Sequence, residues 1–178
     1  MVKKLKSKFY SALYIALIVV SNMVTIWFKP ISIGTILVPP SSWFMGFTFL
    51  LINIISTKES KLWTSSLIWI GLGITSLICF IQQLPQSIVI ASGVAFIVSQ
   101  YVSNLLYNKL KRGHDDGFLN FVCSFLGSLI DAAIWIVLGL SPLGIGSVLW
   151  SGVIWAIAGQ VIVQAILQRA ALLFIPEN

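Results

Sequence analysis

Residues 9–28 read FYSALYIALIVVSNMVTIWF, an apolar run of 20 residues that follows Lys3, Lys4, Lys6 and Lys8. At about 1.5 Å per helical residue such a run reaches across the ~30 Å hydrocarbon core of a bilayer. A basic start ahead of an apolar stretch also fits a secretory leader. No small-residue cleavage site of the A-x-A type follows, so the run is expected to remain as a first transmembrane helix.

Downstream, the chain keeps returning to this pattern. Lys29-Pro30 and the stretch Ile31 to Ser42 are apolar yet hold Gly34, Pro39 and Pro40. Adjacent prolines remove two backbone donors and disfavour continuous helix. Broken backbone at membrane depth survives only where protein or water satisfies it. A re-entrant or surface-lying segment is therefore expected, followed by a second helix over Trp43 to Ser56. Further helices are expected over Leu62 to Ile81, Gln86 to Leu110, Phe118 to Leu140 and Ile145 to Phe174. They are joined by the turns Thr57 to Lys61, Gln82 to Pro85, Lys111 to Gly117 and Ser141 to Gly144. The fold class is thus an all-α integral membrane protein of six transmembrane helices, with a Pro-broken segment between the first and second. Residues 1–178 form a single transmembrane domain.

Composition agrees. Of 178 residues, 58% are hydrophobic and only 9% charged, where a soluble domain needs about a quarter charged residues to cover its surface. Mean hydropathy is +0.99. The net charge of +6 could suggest nucleic acid, but the basic residues sit in short clusters between apolar runs and no nucleic-acid motif accompanies them. Ten of the 11 Lys and Arg residues fall on one side of the six-helix arrangement and only Lys29 on the other. By the positive-inside rule the rich side is cytoplasmic, which predicts a multi-pass protein of the cell membrane with both termini in the cytoplasm.

Enzyme chemistry finds little to work with. There is no P-loop, H-E-x-x-H or G-x-S-x-G, so the chain is not expected to be an enzyme. His114 beside Asp115 and Asp116 reads as a solvated turn. Cys79 and Cys123 lie inside apolar runs with neither CxxC spacing nor a His cluster, so neither a metal site nor a disulfide framework is indicated.

Polar residues at membrane depth are costly, which makes each a candidate for function. Asp131 is the only acidic residue well inside an expected span, a candidate proton carrier or ligand contact; Ser124 and Ser128 share its helical face. Gln100 and Asn104 share a face of the fourth helix, beside Ser99 and Ser103. Amides offer both donors and acceptors, which suits a heterocycle with a mixed hydrogen-bonding edge. Asn22 and Asn53 could line a cavity or tie helices together. Gln160 and Gln164 are read as helix ties. Trp27, Trp43, Trp63 and Trp150 sit where an interfacial belt would place them, with Trp69, Trp135 and Trp155 deeper.

One stretch carries a family likeness. Ala91-Ser92-Gly93-Val94-Ala95-Phe96-Ile97-Val98-Ser99-Gln100, then Asn108-Lys109-Leu110-Lys111, resembles the signature of the queuosine precursor transporters, the vitamin-uptake transporter group. That family reads A-S-F-x-A, then S/G-Q-x-x-D, then a basic N-x-L-R/K. Cys123-Ser124 through Gly127 to Asp131 resembles its S-T-x-x-G/S-x-x-x-D. The specific part of the likeness covers about residues 91–135. It implies six helices and import of 7-cyano-7-deazaguanine or a related deazaguanine. Asn22, Ser99, Gln100, Ser124 and Asp131 match family positions. Three departures stand out. Ile52-Asn53 and then Thr57 replace T-D-x-x-x-E, Ser103 replaces an Asp, and Cys123 replaces a Ser.

The functional expectation is a membrane importer of a planar nitrogen heterocycle. Asn22, Asn53, Ser99, Gln100, Ser124 and Asp131 are its substrate-binding residues. The alternatives are a membrane sensor that binds without moving its ligand, and a substrate-binding subunit of a larger vitamin-type complex. No cofactor is implied. The partners are a small purine-like molecule and the lipid bilayer; the oligomeric state is left open.

Overall fold

The computed structural model describes residues 2–28, 31–33, 36–38, 40–111, 117–140 and 150–172. Six helices account for almost all of them: α1 Val2–Trp27, α2 Ser42–Lys58, α3 Lys61–Ile81, α4 Gln86–Leu110, α5 Gly117–Ile134 and α6 Trp150–Leu172. Four helical stretches, Lys8–Trp27, Lys61–Ile81, Gln86–Leu110 and Gly117–Gly139, are long and apolar enough to cross a bilayer. The broken segment after α1 contains two short antiparallel strands, β1 Ile31–Ile33 and β2 Ile36–Val38, paired as Ile31↔Val38, Ser32↔Leu37 and Ile33↔Ile36. The prolines on either side stop helix there, and the β-branched residues between them suit an extended backbone. β2 packs against α6.

The helix ends follow local chemistry. Ser60 caps α3, its hydroxyl accepting from the Trp63 amide at 3.2 Å. At the other end Gln83 takes the left-handed region at φ 52°. The Gln83 amide donates to the Phe80 carbonyl, and Leu84 donates to Cys79, both at 3.1 Å. These paired bonds satisfy carbonyls that a helix end would otherwise leave open, and Pro85 then bars further helix. The first helix reaches back to Val2, beyond the expected start at Phe9. The expected fifth helix is α only to Ile134 and continues as a π-helix over Trp135–Leu140. The turn at 112–116, with His114, and the start of the sixth helix at Ile145 lie outside the described residues.

Burial is inverted relative to a protein in water. Phe80 is 80% exposed and Leu62 82%, whereas Asn53, Gln100, Gln164 and Gln168 are fully enclosed. Water would reverse that arrangement, because it solvates amides and expels large apolar side chains. Lipid explains both halves. The chain is a helical, membrane-spanning protein.

Helix α2 is the axis of the bundle and packs against α1, α4, α5 and α6. Residues 49–55 are all buried. At 17 residues it is shorter than the ~20 that span a bilayer, and its enclosure by other helices relieves it of facing lipid along its length. Tyr14 and Ile18 of α1, Ile52 and Ile55 of α2, Ile68 of α3 and Phe96 of α4 form the apolar half of the core.

Polar rungs set the depth of each helix. Trp63 donates to Ser11 and Asn22 to Thr75, tying α1 parallel to α3. Gln100 bonds Thr48, Asn104 bonds the Ile52 carbonyl, and Asn108 bonds Ser56, tying α2 parallel to α4. In every rung the partners are 52 or 53 residues apart. The α1–α2 and α3–α4 hairpins therefore lie side by side at one depth. Antiparallel to α4, α5 and its π-helical continuation set Asp131 against Ser99 and Trp135 against Ser92. The Lys58 ammonium lies 5.7 Å from the centre of the Tyr10 ring, so the end of α2 and the start of α1 share one face of the bundle.

Candidate functional site

A cavity of about 80 Å³ opens between the end of α1, the start of α2, the end of α3, the start of α4 and the end of α5. Asn22, Thr75, Ser92, Phe96, Asp131 and Trp135 contribute to its wall. Asn22 is held in place by its amide nitrogen, which donates to the Ile18 carbonyl at 2.8 Å and to Thr75 Oγ1 at 3.1 Å. Asp131 is 6% exposed and accepts from the Ser99 hydroxyl at 3.4 Å. The Trp135 indole donates to Ser92 at 3.1 Å. It begins the π-helical stretch, a form that occurs mostly as short bulges and often at functional sites. The wall thus combines an amide, a carboxylate, hydroxyls and two aromatic rings.

A second polar assembly lies deeper, between α2, α4, α5 and α6. Asn53 Nδ2 approaches Asn120 Oδ1 at 2.8 Å, Ser103 Oγ at 3.2 Å and Ser124 Oγ at 3.3 Å. Gln100 Nε2 donates to Thr48 at 2.8 Å. Gln168 Nε2 donates to Ser128 Oγ at 2.8 Å and the Gly46 carbonyl at 3.2 Å. Close backbone approach makes this possible. A Cβ on Gly46 would stand 3.1 Å from the Gln164 carbonyl oxygen, and one on Gly127 would stand 2.8 Å from the Ser103 Cβ.

The six expected binding residues therefore divide. Asn22 and Asp131 line the cavity, and Ser99 stands behind Asp131. Asn53, Gln100 and Ser124 belong to the interhelical assembly and are absent from the cavity wall. Trp69 is 56% exposed on the outer surface of the bundle, so it stacks on nothing inside. Cys79 and Cys123 are free and buried. Among the described residues no group of three or more His, Cys, Asp or Glu side chains is placed to hold a metal ion.

Thr48, Thr75, Asn120 and Gln168 are polar partners that the sequence reading did not single out. A signal existed for Asn120, since Asn120, Ser124, Ser128 and Asp131 form one polar stripe along α5. Gln168 follows Gln164 at the same four-residue spacing. Thr48 and Thr75 sit in apolar surroundings with no such marker.

Fold and site together define a helical membrane protein with a polar interior. No family model, curated protein or solved structure matches the chain.

Proposed function

We propose that the protein is an importer of a planar nitrogen heterocycle, specifically a queuosine precursor such as 7-cyano-7-deazaguanine. The observation that carries this reading is that Asn22, Asp131, Phe96 and Trp135 line one cavity. A guanine-like edge offers two adjacent donors, the ring N–H and the exocyclic amine, which match the two oxygens of a carboxylate. Asn22 can serve a mixed donor and acceptor edge, and an aromatic ring can cover the flat face. The sequence likeness between residues 91 and 135 supports the same substrate class.

Six spans with both termini in the cytoplasm complete the reading. The gathering of Lys58, Lys61, Lys109 and Lys111 at the ends of α2 and α4 and the start of α3 supports it. At about 80 Å³ the cavity is below the ~300 Å³ that holds a drug-sized ligand, so substrate entry widens it. The π-helical stretch from Trp135, which continues α5, is the segment suited to that movement. The test is rescue of a bacterium that cannot synthesise deazaguanines, fed the precursor and scored by restored tRNA modification. Membrane-inserted protein without rescue rejects the assignment.

A further inference from the structure

We propose that the interior between α2, α4, α5 and α6 binds one monovalent alkali cation through the side-chain oxygens of Asn53, Gln100 and Gln168. All three residues are fully buried. Each is anchored through its nitrogen, and each has its oxygen without a hydrogen-bond partner among the described residues.

The orientation of these amides is fixed by what their nitrogens meet. Thr48 gives its own proton to the Met45 carbonyl at 2.8 Å, so toward Gln100 it can only accept. Gln168 faces the Gly46 carbonyl, an acceptor by nature. Asn53 faces Asn120 Oδ1, which also receives the Ser124 hydroxyl at 3.2 Å, while Asn120 Nδ2 is turned to the Leu50 carbonyl. Flipping any of the three would set oxygen against oxygen, so the surplus of acceptors is built into the bundle.

Two of the three groups share a partner residue, and the third lies one helical turn from a further partner of Asn53. Asn53 reaches the Ser124 hydroxyl, and Gln168 reaches the Ser124 carbonyl at 3.5 Å. Ser103, another partner of Asn53, follows Gln100 by one turn of α4. One turn before Gln168, Gln164 is fully buried with neither amide atom bonded among the described residues, and it adds a fourth oxygen. A buried acceptor left unmatched is costly, and several together are relieved by one positive charge. Neutral oxygens do not suit a divalent ion, whose sites draw on carboxylates, nor the softer metals that favour nitrogen and sulfur. Sodium, potassium or lithium remains. Carbonyl oxygens replacing the hydration shell of an alkali ion is an established device in membrane proteins.

The proposal does not depend on the substrate. Purified protein is exchanged into choline chloride, and thermal unfolding is followed as NaCl, KCl or LiCl replaces choline at constant ionic strength. A saturable rise in Tm with one alkali ion over choline is expected, because a ligand that binds only the folded state stabilises it. Gln100→Leu and Gln168→Leu are each expected to weaken the apparent ion affinity at least tenfold, with Gly73→Ala unchanged as a control. Gln100→Asn keeps both amide groups but draws the oxygen back by one methylene, so it too should weaken the apparent ion affinity, which preserves the test if a leucine variant fails to fold. Equal Tm in all four salts overturns the proposal, as does an unaltered ion response in the folded Gln100 and Gln168 variants.

Discussion

Asn53 on α2 and Asn120 on α5 meet amide to amide at 2.8 Å, 67 residues apart in sequence and both buried. The two ends of this bond are not equivalent. Asn53 also reaches Ser103 and Ser124, so it joins three helices, whereas Asn120 besides donates to the Leu50 carbonyl and accepts the Ser124 hydroxyl of its own helix, so it joins two. Asn53→Leu should therefore destabilise by about 1–3 kcal/mol, the cost of stranding several buried partners. Asn120→Leu leaves the Asn53 hydrogens on two hydroxyls and should cost nearer the ~0.6 kcal/mol average for a hydrogen bond between membrane helices. Unfolding in mixed micelles measures both. Equal losses would show that Asn53 has no special place in the network.

Gly46 sets the distance between α2 and α6. A Cβ there meets the carbonyl oxygen, Cβ and Cα of Gln164 at 3.1–3.3 Å, and two of those atoms are backbone. Gly46→Val must push the helices apart, at about 1–3 kcal/mol, and should loosen the Gln168 bonds with them. Gly73 has nothing within 4 Å of its added Cβ, so Gly73→Ala should be neutral or stabilise by up to about 1 kcal/mol through helix propensity. Matching Tm shifts in the two variants would remove the close-approach argument.

Orientation is open to direct chemistry. Ser60 and Gln83 are exposed at opposite ends of α3. In a background lacking Cys79 and Cys123, Ser60→Cys should be shielded from an impermeant thiol reagent outside intact cells, and Gln83→Cys should react. The reverse pattern would place the lysine-rich end outside.

What the sequence disclosed depends on how local each cause is. The turns at 57–61 and 82–85 were legible because Ser60, Glu59, Pro85 and their neighbours act within one helical turn. Asp131 stood out because a carboxyl in an apolar run is costly to bury, whether it serves function or ties helices. Placement was less legible. Whether Gln100 points at the cavity or at Thr48 is decided by a neighbouring helix 52 residues away. The centrality of α2 follows from glycine contacts at Gly46 and Gly127, which a linear reading cannot see. The π-helical turn at Trp135 likewise has no signature in its apolar residues.

Asp131 gives the sharpest separation of structure from function. It is 6% exposed, lines the cavity and accepts the Ser99 hydroxyl at 3.4 Å. Asp131→Asn keeps the shape and an oxygen that can still take the Ser99 proton, so unfolding should shift by less than about 1 kcal/mol. It removes the ionisable group and replaces one oxygen with an amide nitrogen that donates. A guanine-like edge with two donors would then meet an N–H where it requires an oxygen, and leaving such a polar pair unmatched costs roughly 1–3 kcal/mol, or about one to two orders of magnitude in affinity. Uptake of 7-cyano-7-deazaguanine should fall accordingly, while Ser99→Ala, which leaves the carboxylate in place, should lower it only a few-fold. The measurement is initial uptake rate beside Tm for the parent and both variants. An Asp131→Asn protein that transports like the parent would reduce the carboxyl to a helix tie. One that loses uptake and stability together would make it a structural group first.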